Sequence, residues 1–452
     1  MAPPPLPVET LPTTEHGGRL VPGDRRALRA LREEVRSAVG RLADDGPATA
    51  PGPEEASRIR VLIQDAVAAW QRRAAMQNTP PLSDAAQVER RLSNDFLGLG
   101  PLQPYLDDER IEELMANGPF RTFVVTDGHT RLVPDLVFDS DEELLELIKR
   151  ILGPLGRRLD ASSPMVDVRL PDGSRLNAVI PPVSSVGPCV TIRKFTMRAH
   201  TLAEVVTLGS VTDEVAGFLD GCVRGGANIL VAGPTGSGKT TLLNCLGAAI
   251  PTEDERIVTI EEVGELLLYR QLPNCVALEG RGGNVEGIGE IRIRDLVRNA
   301  LRMRPTRVVV GECRGPEALD VLLAMNTGHD GSMSTIHANS PRDALDRLAT
   351  LAAMAEERLS TEVLTRMVAR TVEIVVQLGV ETGGRRRVTN VFEVTGLELG
   401  GGTPVVMGND LWTHDPRRGR LVWTGIRPRI LDKLALKGIP YALPPEGPSF
   451  GA

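Results

Sequence analysis

The chain has 452 residues, which is enough for two or three domains with at least one sizeable hydrophobic core. Its composition, 41% hydrophobic and 25% charged, is that of a globular protein, and its net charge of −7 argues against a general polyanion binder. Only 3% of the residues are aromatic, so few side chains are available to stack on single-stranded nucleic acid. The composition therefore carries no strong nucleic-acid signal, although a local basic patch is compatible with it.

Neither a membrane span nor a disulfide framework is predicted. No apolar run is long enough to cross a bilayer, and the N-terminus lacks the segments of a signal peptide. The five cysteines form no CxxC pair and no zinc-like spacing, which is typical of buried thiols in a reducing compartment. We therefore expect a cytoplasmic protein that reaches a membrane only through partners.

The first part of the chain is predicted to be a disordered tail, 1–23, followed by a helical module, 24–98. Asp24 is a plausible N-cap for an amphipathic helix, 43–55 has the composition of a linker, and two more amphipathic helices follow. Three helices joined in this way indicate either a small bundle or a docking module on a tether. Periodicity alone does not choose between them.

A small α/β domain is predicted over 99–197. The expected elements are a hairpin of strands 122–126 and 131–138, a helix at 141–152, a second hairpin of 166–170 and 174–180, and a strand at 190–194.

Residues 228–243, NILVAGPTGSGKTTLL, carry the GxxxxGK[ST] pattern between a predicted strand and a predicted helix. Glycines let the backbone turn tightly enough to direct N–H groups at phosphate oxygens, and the first turn of the helix adds further donors. Lys239 is expected to contact the β- and γ-phosphates, and the Thr240 hydroxyl to bind Mg²⁺. The strand–helix context favours a nucleoside triphosphate site over a chance glycine-rich turn. The predicted cradle consists of Gly233, Pro234, Thr235, Gly236, Ser237, Gly238, Lys239, Thr240 and Thr241.

Predicted strands alternate with helices across the nucleotide domain, 198–395. The strands, at 228–232, 256–260, 307–310 and 331–336, indicate an α/β fold with a mostly parallel sheet. Ligands of such sheets lie at the carboxyl ends of the strands, so the polar residues there are the candidates for chemistry.

Three acids stand at these strand ends. Glu261 and Glu262 follow strand 256–260, and Glu312 follows strand 307–310. Glu312 is expected to position or deprotonate the attacking water, and Glu261 and Glu312 to join Thr240 around the metal, with Glu262 as the alternative to Glu261. Ordinary solvated glutamates are the alternative for any one of them, but three together favour a functional role.

Histidine and arginine candidates complete the predicted site. His337, at the end of a predicted strand and just before Ser340 and Pro341 begin a helix, is either structural or a γ-phosphate sensor. His329 is undecided between packing and support of the site. Arginine could come from Arg193 or from a stripe that is otherwise a solvated helix face, namely Arg294, Arg298 and Arg302.

These residues resemble the CpaF-type motor ATPases of tight-adherence (Flp) pilus assembly, within the type II/type IV secretion ATPase superfamily. The likeness covers about 95–395, with one departure at Glu262, where Asp is usual, and another at Cys313, where a branched aliphatic is usual. The matching segments are GRRLDASSPMVDVRLPDGSRLNAVIPP (156–182), TIRKF (191–195), GPTGSGKTTLLN (233–244), RIVTIEE (256–262), IRDLVRNALRMRP (293–305) and VVVGECRGPEALDVLLAMNTGHDGSMSTIHANSPRDAL (308–345).

The resemblance implies a cyclic hexamer that has a RecA-like P-loop domain and binds ATP between that domain and the small α/β domain. It implies that hydrolysis drives pilin assembly through inner-membrane platform proteins. The family's Asp box maps to Glu261 and Glu262, its Walker B to Gly311 and Glu312, and its His box to His337. Arg193 falls where the smaller domain reaches the nucleotide. The tail, 396–452, is expected to be a variable accessory segment of hairpins.

Two other functions stay open. The same fold could drive a nucleic-acid translocase, for which the arginine stripe is the best support, or a type IV secretion ATPase that transfers DNA or effectors. A GTPase is not favoured, because no guanine-reading NKxD motif is present.

Overall fold

The computed structural model describes residues 20–41, 52–77, 80–126, 128–134, 137–194, 197, 199–281, 289–381, 384–400 and 403–444. The chain divides into two compact units, Met1–Thr196 and Met197–Ala452. Most of the predicted disordered tail, and the predicted linker up to residue 51, lie outside the described residues. The first helix begins at Pro22.

Three helices begin the first unit: α1 (Pro22–Gly40), α2 (Pro53–Gln77) and α3 (Ala85–Leu97). Their apolar faces form one core that contains Leu31, Ile63, Val88 and Leu92. The rest of this unit comprises α4 (Gln103–Asp107), β1 (Ile111–Asn117), β2 (Thr122–Thr126), β3 (His129–Leu132), α5 (Asp141–Leu152), β4 (Met165–Arg169), β5 (Arg175–Val179) and β6 (Cys189–Arg193).

The six strands form one antiparallel sheet in the order β3-β2-β1-β6-β5-β4. Helix α5 has the predicted bounds because Ser140 caps its first turn and its apolar positions repeat with helical spacing. The predicted strand 131–138 is wrong in its bounds. Strand β3 ends at Leu132, and Phe138 packs in the hydrophobic core.

Asp24 does not cap α1, whose N-cap is Val21. Its buried carboxylate instead accepts hydrogen bonds from the backbone N–H groups of Ser83 (2.9 Å) and Asp84 (3.1 Å), just before α3. The partner lies 59 residues away in sequence, so a local pattern could not identify it.

The helical module is held against α5. Arg32 of α1 lies 2.7 Å from Asp95 of α3 and 3.1 Å from Glu143 of α5. A half-buried arginine shared by two acids joins three helices, so the described residues form a packed bundle.

The second unit begins with α6 (Leu202–Thr207), α7 (Asp213–Arg224), β7 (Ile229–Gly233) and α8 (Lys239–Ala248). It continues through β8 (Ile257–Glu261), β9 (Cys275–Glu279), α9 (Ile293–Ala300), β10 (Arg307–Cys313), α10 (Glu317–Asn326), β11 (Met333–His337) and α11 (Pro341–Ala353). It ends with α12 (Thr361–Thr371), β12 (Ile374–Val380), β13 (Arg386–Gly400), β14 (Thr403–Asp415), β15 (Arg420–Trp423) and α13 (Ile430–Leu436).

These nine strands form one sheet in the order β15-β14-β13-β12-β7-β11-β10-β8-β9. In this spatial order, each strand from β12 to β9 pairs in parallel with the next one. Strands β13, β14 and β15 join the β12 edge by antiparallel pairing. Separate apolar cores lie against the sheet, one around Phe218 and Trp412 and one around Val310 and Phe392. The predicted α/β fold with a mostly parallel sheet is confirmed.

The C-terminal strands extend this sheet. The expected boundary at 395 falls inside β13, and Trp412 of β14 packs on Phe218 of α7 with ring centroids 4.7 Å apart. Glu393 accepts hydrogen bonds from the backbone N–H groups of Arg429 and Ile430 at the start of α13. The described part of 396–452 is therefore built into the second unit, because β14 pairs with residues on both sides of this boundary, from Asn390 to Gly400.

Among the described residues, no helix combines the length and apolar character needed to cross a membrane. All five cysteines are free thiols. The predicted burial holds for Cys222, Cys245 and Cys313, while Cys189 and Cys275 are half-buried.

Candidate nucleotide-binding site

The predicted site residues come together because four neighbouring parallel strands end at one edge of the sheet. In the order β7-β11-β10-β8, these strands end at Gly233, His337, Cys313 and Glu261. The register sets His337 directly opposite Gly233. The phosphate loop, the histidine and the acids thus share the edge where ligands of such sheets bind.

The phosphate loop has the backbone that its glycines predict. Gly236 (φ 72°) and Gly238 (φ 92°) are in the left-handed region, which L-residues rarely adopt. A Cβ on Gly233 would lie 2.6 Å from Ser237 Oγ, so the turn closes too tightly for any side chain there. The N-cap of α8 is Gly238, which has no side chain to cap the helix, and a helix start of this kind can bind an anion through its first-turn N–H groups.

Lys239 lies inside this loop. Its side chain is buried, and its Nζ donates a hydrogen bond to the Pro234 carbonyl oxygen at 3.1 Å. The Ser237 hydroxyl donates to the same oxygen at 2.8 Å. An ammonium group enclosed by a glycine-rich loop at the start of a helix is suited to bind the polyphosphate of a nucleotide.

Glu312 and Glu262 are brought to one guanidinium group. Arg314 lies 2.8 Å from Glu312 and 3.5 Å from Glu262. The backbone N–H groups of Arg314 and Gly315 donate in turn to the buried carboxylate of Glu317, which holds the turn after β10. Sequence reasoning assigned no role to Arg314. Its position two residues after Glu312, at the end of the same predicted strand, was the signal in the sequence that could have identified Arg314.

Glu261 is placed differently from the other two acids. Its carboxylate is buried and accepts hydrogen bonds from the backbone N–H groups of Glu265 (2.9 Å) and Leu266 (3.0 and 3.1 Å). Its Cγ occupies the space that a side chain at Gly311 would need. Burial raises the pKa of Glu261 to about 7, outweighing those hydrogen bonds, which favour the charged form. The geometry therefore supports a role in holding the 262–266 loop more than the expected metal contact.

Within the described ranges, no group of three or more His, Cys, Asp or Glu residues has the arrangement of a metal site. A Mg²⁺ ion bound with a nucleotide does not require such a group, because Mg²⁺ usually takes one or two protein oxygens together with substrate phosphates. The Thr240 hydroxyl at the start of α8 and the half-buried Glu312 carboxylate are oxygens of the kind it prefers.

His337 adjoins the phosphate loop, and its Nε2 lies 3.5 Å from Thr235 Oγ1. Burial and then the nearby Lys239 ammonium lower its pKa, although Glu312 acts in the opposite direction. A neutral imidazole is therefore favoured at neutral pH, and it can donate one hydrogen bond from whichever nitrogen carries the proton.

Comparison with known proteins identifies the family. Residues 95–383 match the sequence model of the family described as "Type II/IV secretion system protein". The chain belongs to that family. The match includes Arg193, the phosphate loop, the three acids and His337, and it ends before β13.

Related proteins of this family carry two kinds of name. A Mycobacterium tuberculosis protein named for conjugal transfer is 37% identical over 309 residues, 67% of this chain and 86% of that protein. The type IV secretion system protein VirB11 of Brucella suis is 33% identical over 339 residues, 68% of this chain and 92% of that protein. A crystal structure of the Brucella suis VirB11 ATPase with sulphate aligns over 69% of this chain and 97% of that one, with 31% identity and a TM-score of 0.36.

Two arginines of the predicted stripe are structural in this family member. Arg294 is buried and, like Arg298, pairs with Asp320 of α10 and with Glu357. These ion pairs connect α9 to α10. Arg294 and Arg298 therefore neither form a solvated helix face nor serve as arginines for a phosphate. Arg302 is exposed. His329 has a packing contact, its Nδ1 lying 3.0 Å from the Ala324 carbonyl oxygen at the end of α10.

Arg193 ends β6 in the first unit. Its side chain is 54% exposed, and its Nε lies 3.4 Å from Glu113 of β1. The register sets Arg193 opposite Glu113 on one side and Arg175 on the other. An exposed guanidinium on a sheet face is accessible to a ligand or to another subunit.

Proposed function

We propose that this chain is an ATP-hydrolysing motor subunit of a type II/IV secretion apparatus. The observation that carries the proposal is the meeting of an anion-binding loop with Glu312 and His337 at one edge of a parallel sheet. A loop alone would only hold a nucleotide. A carboxylate and a neutral imidazole beside it supply what hydrolysis of a phosphoanhydride requires.

In this proposal the cradle from Gly233 to Thr241 binds the phosphates of ATP. The Lys239 ammonium exchanges the Pro234 carbonyl for phosphate oxygens, and N–H groups of the first turn of α8 donate to them. Mg²⁺, held by the Thr240 hydroxyl and phosphate oxygens, would neutralise charge there. The Glu312 carboxylate would be the acidic protein group beside this ion.

The chemical step is attack of water on the γ-phosphorus. Glu312 takes up a proton of the water as the new P–O bond forms, and the bond to the β-phosphate oxygen breaks to release ADP. His337 donates a hydrogen bond to the γ-phosphoryl group and reports its presence. Arg314 must loosen its contact with Glu312 for the carboxylate to reach the water, because a tightly paired carboxylate is a poor base.

We further propose that the chain works as a hexamer of the CpaF type, on the cytoplasmic side of the membrane, with inner-membrane platform proteins of a pilus system as partners. The residue-level resemblance to tight-adherence pilus motors supports this assignment. In such a ring Arg193 belongs to a neighbouring subunit's site, where its guanidinium stabilises charge on the γ-phosphate.

Transfer of DNA or protein effectors is the second candidate function. It is favoured by the relatives named for conjugal transfer and for type IV secretion. Stimulation of the ATPase rate by DNA, lost as salt rises, would favour DNA transfer. A rate indifferent to DNA would favour the pilus motor.

The direct test of the nucleotide site is Lys239→Ala. We expect purified protein to bind and hydrolyse ATP, and the variant to lose both, since the buried ammonium is the main positive charge that the loop offers the phosphates. Arg302→Ala, which removes an exposed arginine, is the control and should retain both. Unchanged turnover in Lys239→Ala would contradict the proposal.

A further inference from the structure

The β12–β13 hairpin borders the phosphate loop on the side opposite the acids. In the sheet order β13-β12-β7-β11-β10, the loop after β7 has His337 and Glu312 on one flank and the hairpin on the other. The contact with the hairpin is close, because a Cβ on Gly233 would lie 3.0 Å from both the Cβ and the carbonyl oxygen of Leu378. The nucleotide site therefore has a second wall, of which β12 lies within the family match and β13 beyond it.

Three consecutive arginines at this wall have different surroundings. Arg387 is buried and pairs with Glu381 at 2.9 Å. Arg385 is exposed, and its guanidinium lies beside Gly209. Arg386 is half-buried, and its Cδ would lie 3.8 Å from a Cβ on Gly238, the residue before Lys239. Of the three, Arg386 is the one whose side chain passes the phosphate loop.

The backbone of Arg386 is fixed on both sides. It pairs with Val380 of β12 in the antiparallel ladder, and its carbonyl oxygen accepts a hydrogen bond from Ser210 Oγ at 2.8 Å. The fixed backbone keeps the base of this side chain beside the phosphate loop, so binding a ligand here does not require the segment itself to be ordered.

The residues on the two sides of the phosphate loop determine the orientation of a bound nucleotide. The γ-phosphate has to lie on the flank of Glu312 and His337, where water is activated. The α-phosphate and the ribose then extend across the loop toward the hairpin. A guanidinium there can donate to phosphate or ribose oxygens and can stack on a base.

We propose that Arg386 binds the α-phosphate and ribose half of the nucleotide, the half that ATP and ADP share. This inference rests on the proposed ATPase function. Since substrate, transition state and product all contain that half, Arg386 contributes uniform binding and sets nucleotide affinity without changing the chemical step.

The test compares Arg386→Ala with its neighbour Arg385→Ala in the full chain, measuring kcat, KM for ATP and inhibition by ADP and by pyrophosphate. For Arg386→Ala we expect KM for ATP and Ki for ADP to rise together by about tenfold or more, with kcat changed less than about threefold. Pyrophosphate, which lacks the nucleoside half, should inhibit as before. Arg386→Lys should lose part of the affinity, and Arg385→Ala should match the unaltered protein.

Two results would overturn the inference. In one, Arg386→Ala behaves like Arg385→Ala. In the other, it loses kcat while Ki for ADP stays the same, which would assign Arg386 to the γ-phosphate. In both cases Lys239-dependent hydrolysis by the unaltered chain would leave the proposed function standing. Failure of the unaltered chain to bind ATP would overturn both. Thermal unfolding of each variant separates lost binding from lost folding.

Discussion

Glu261 and Glu312 show that two acids at neighbouring strand ends take different roles according to burial. Glu312 is half-buried and faces a guanidinium group, whereas Glu261 is enclosed and its oxygens face backbone N–H donors. Their positions at strand ends were predictable from the alternation of strands and helices. Their surroundings were not, because Gly311, which faces Glu261, lies 50 residues away (311 − 261), and the loop that brings the Leu266 N–H group back to Glu261 has no repeating pattern.

The buried acid makes the stability of the protein depend on pH. The pKa of Glu261 is about 7 in the folded chain and lies near its ordinary 4.5 in the unfolded chain, so the folded state binds the proton more tightly. The free energy of unfolding therefore falls as pH rises from about 4.5 to 7, by an amount on the order of 3 kcal/mol in total, and levels off above 7.

Glu261→Gln removes this titration. We expect the variant to gain stability relative to the unaltered chain between pH 5 and pH 8, measured by urea unfolding at each pH. Any constant cost of the amide beside the Leu266 N–H group shifts the whole curve without changing its slope. Parallel pH curves for the two proteins would show that Glu261 is ionised in the folded state throughout.

At the scale of elements, the sequence identified most helices and strands whose signals are local. Helix α5 carries its own cap and period, and α11 begins at Ser340 and Pro341 as predicted. The tail was assigned incompletely because β13 joins the sheet by pairing with β12, and β14 and β15 are then added in turn. Likewise, the spacing of Arg294 and Arg298 predicted a shared helix face, but their partner Glu357 lies 63 and 59 residues away.

The junction of α9 and α10 depends on Asp320. Its carboxylate accepts hydrogen bonds from both Arg294 (2.7 Å) and Arg298 (2.8 Å), and its side chain is only 6% exposed. Asp320→Ala leaves a buried arginine without this partner, so we expect the free energy of unfolding to fall by about 3 kcal/mol. The measurement is urea unfolding of the full chain.

Arg302→Ala is the matched control for that junction. Arg302 belongs to the same stripe but is exposed, so its removal should change stability by less than about 0.5 kcal/mol. Equal effects of Asp320→Ala and Arg302→Ala would show that the buried pairs do not hold the two helices.

At the scale of the whole molecule, the proposed ring requires Arg193 and Lys239 to complete one site from two subunits. Arg193→Ala alone and Lys239→Ala alone should each be inactive. When the two variants are mixed and allowed to form joint rings, some sites combine an intact cradle with an intact Arg193, so part of the ATPase activity should return.

This mixing experiment shows whether Arg193 acts in the nucleotide site of a neighbouring subunit or in that of its own subunit. Mixed rings that remain inactive, although labelled subunits are shown to exchange, would assign Arg193 to its own subunit's site or to no site. Mixing Lys239→Ala with Glu312→Gln is the control. It should restore nothing, because both residues lie in the same unit of one chain and no mixed site is complete.

The most direct test of the account is ATP binding and turnover by Glu312→Gln. The account predicts that the amide keeps ATP affinity within about threefold, because the loop and Lys239 are intact, while turnover falls by a factor of about 100 or more. Binding is measured with a fluorescent nucleotide and turnover by phosphate release. A Glu312→Gln protein that releases phosphate at the unaltered rate would contradict the assignment of Glu312 as the group that activates water.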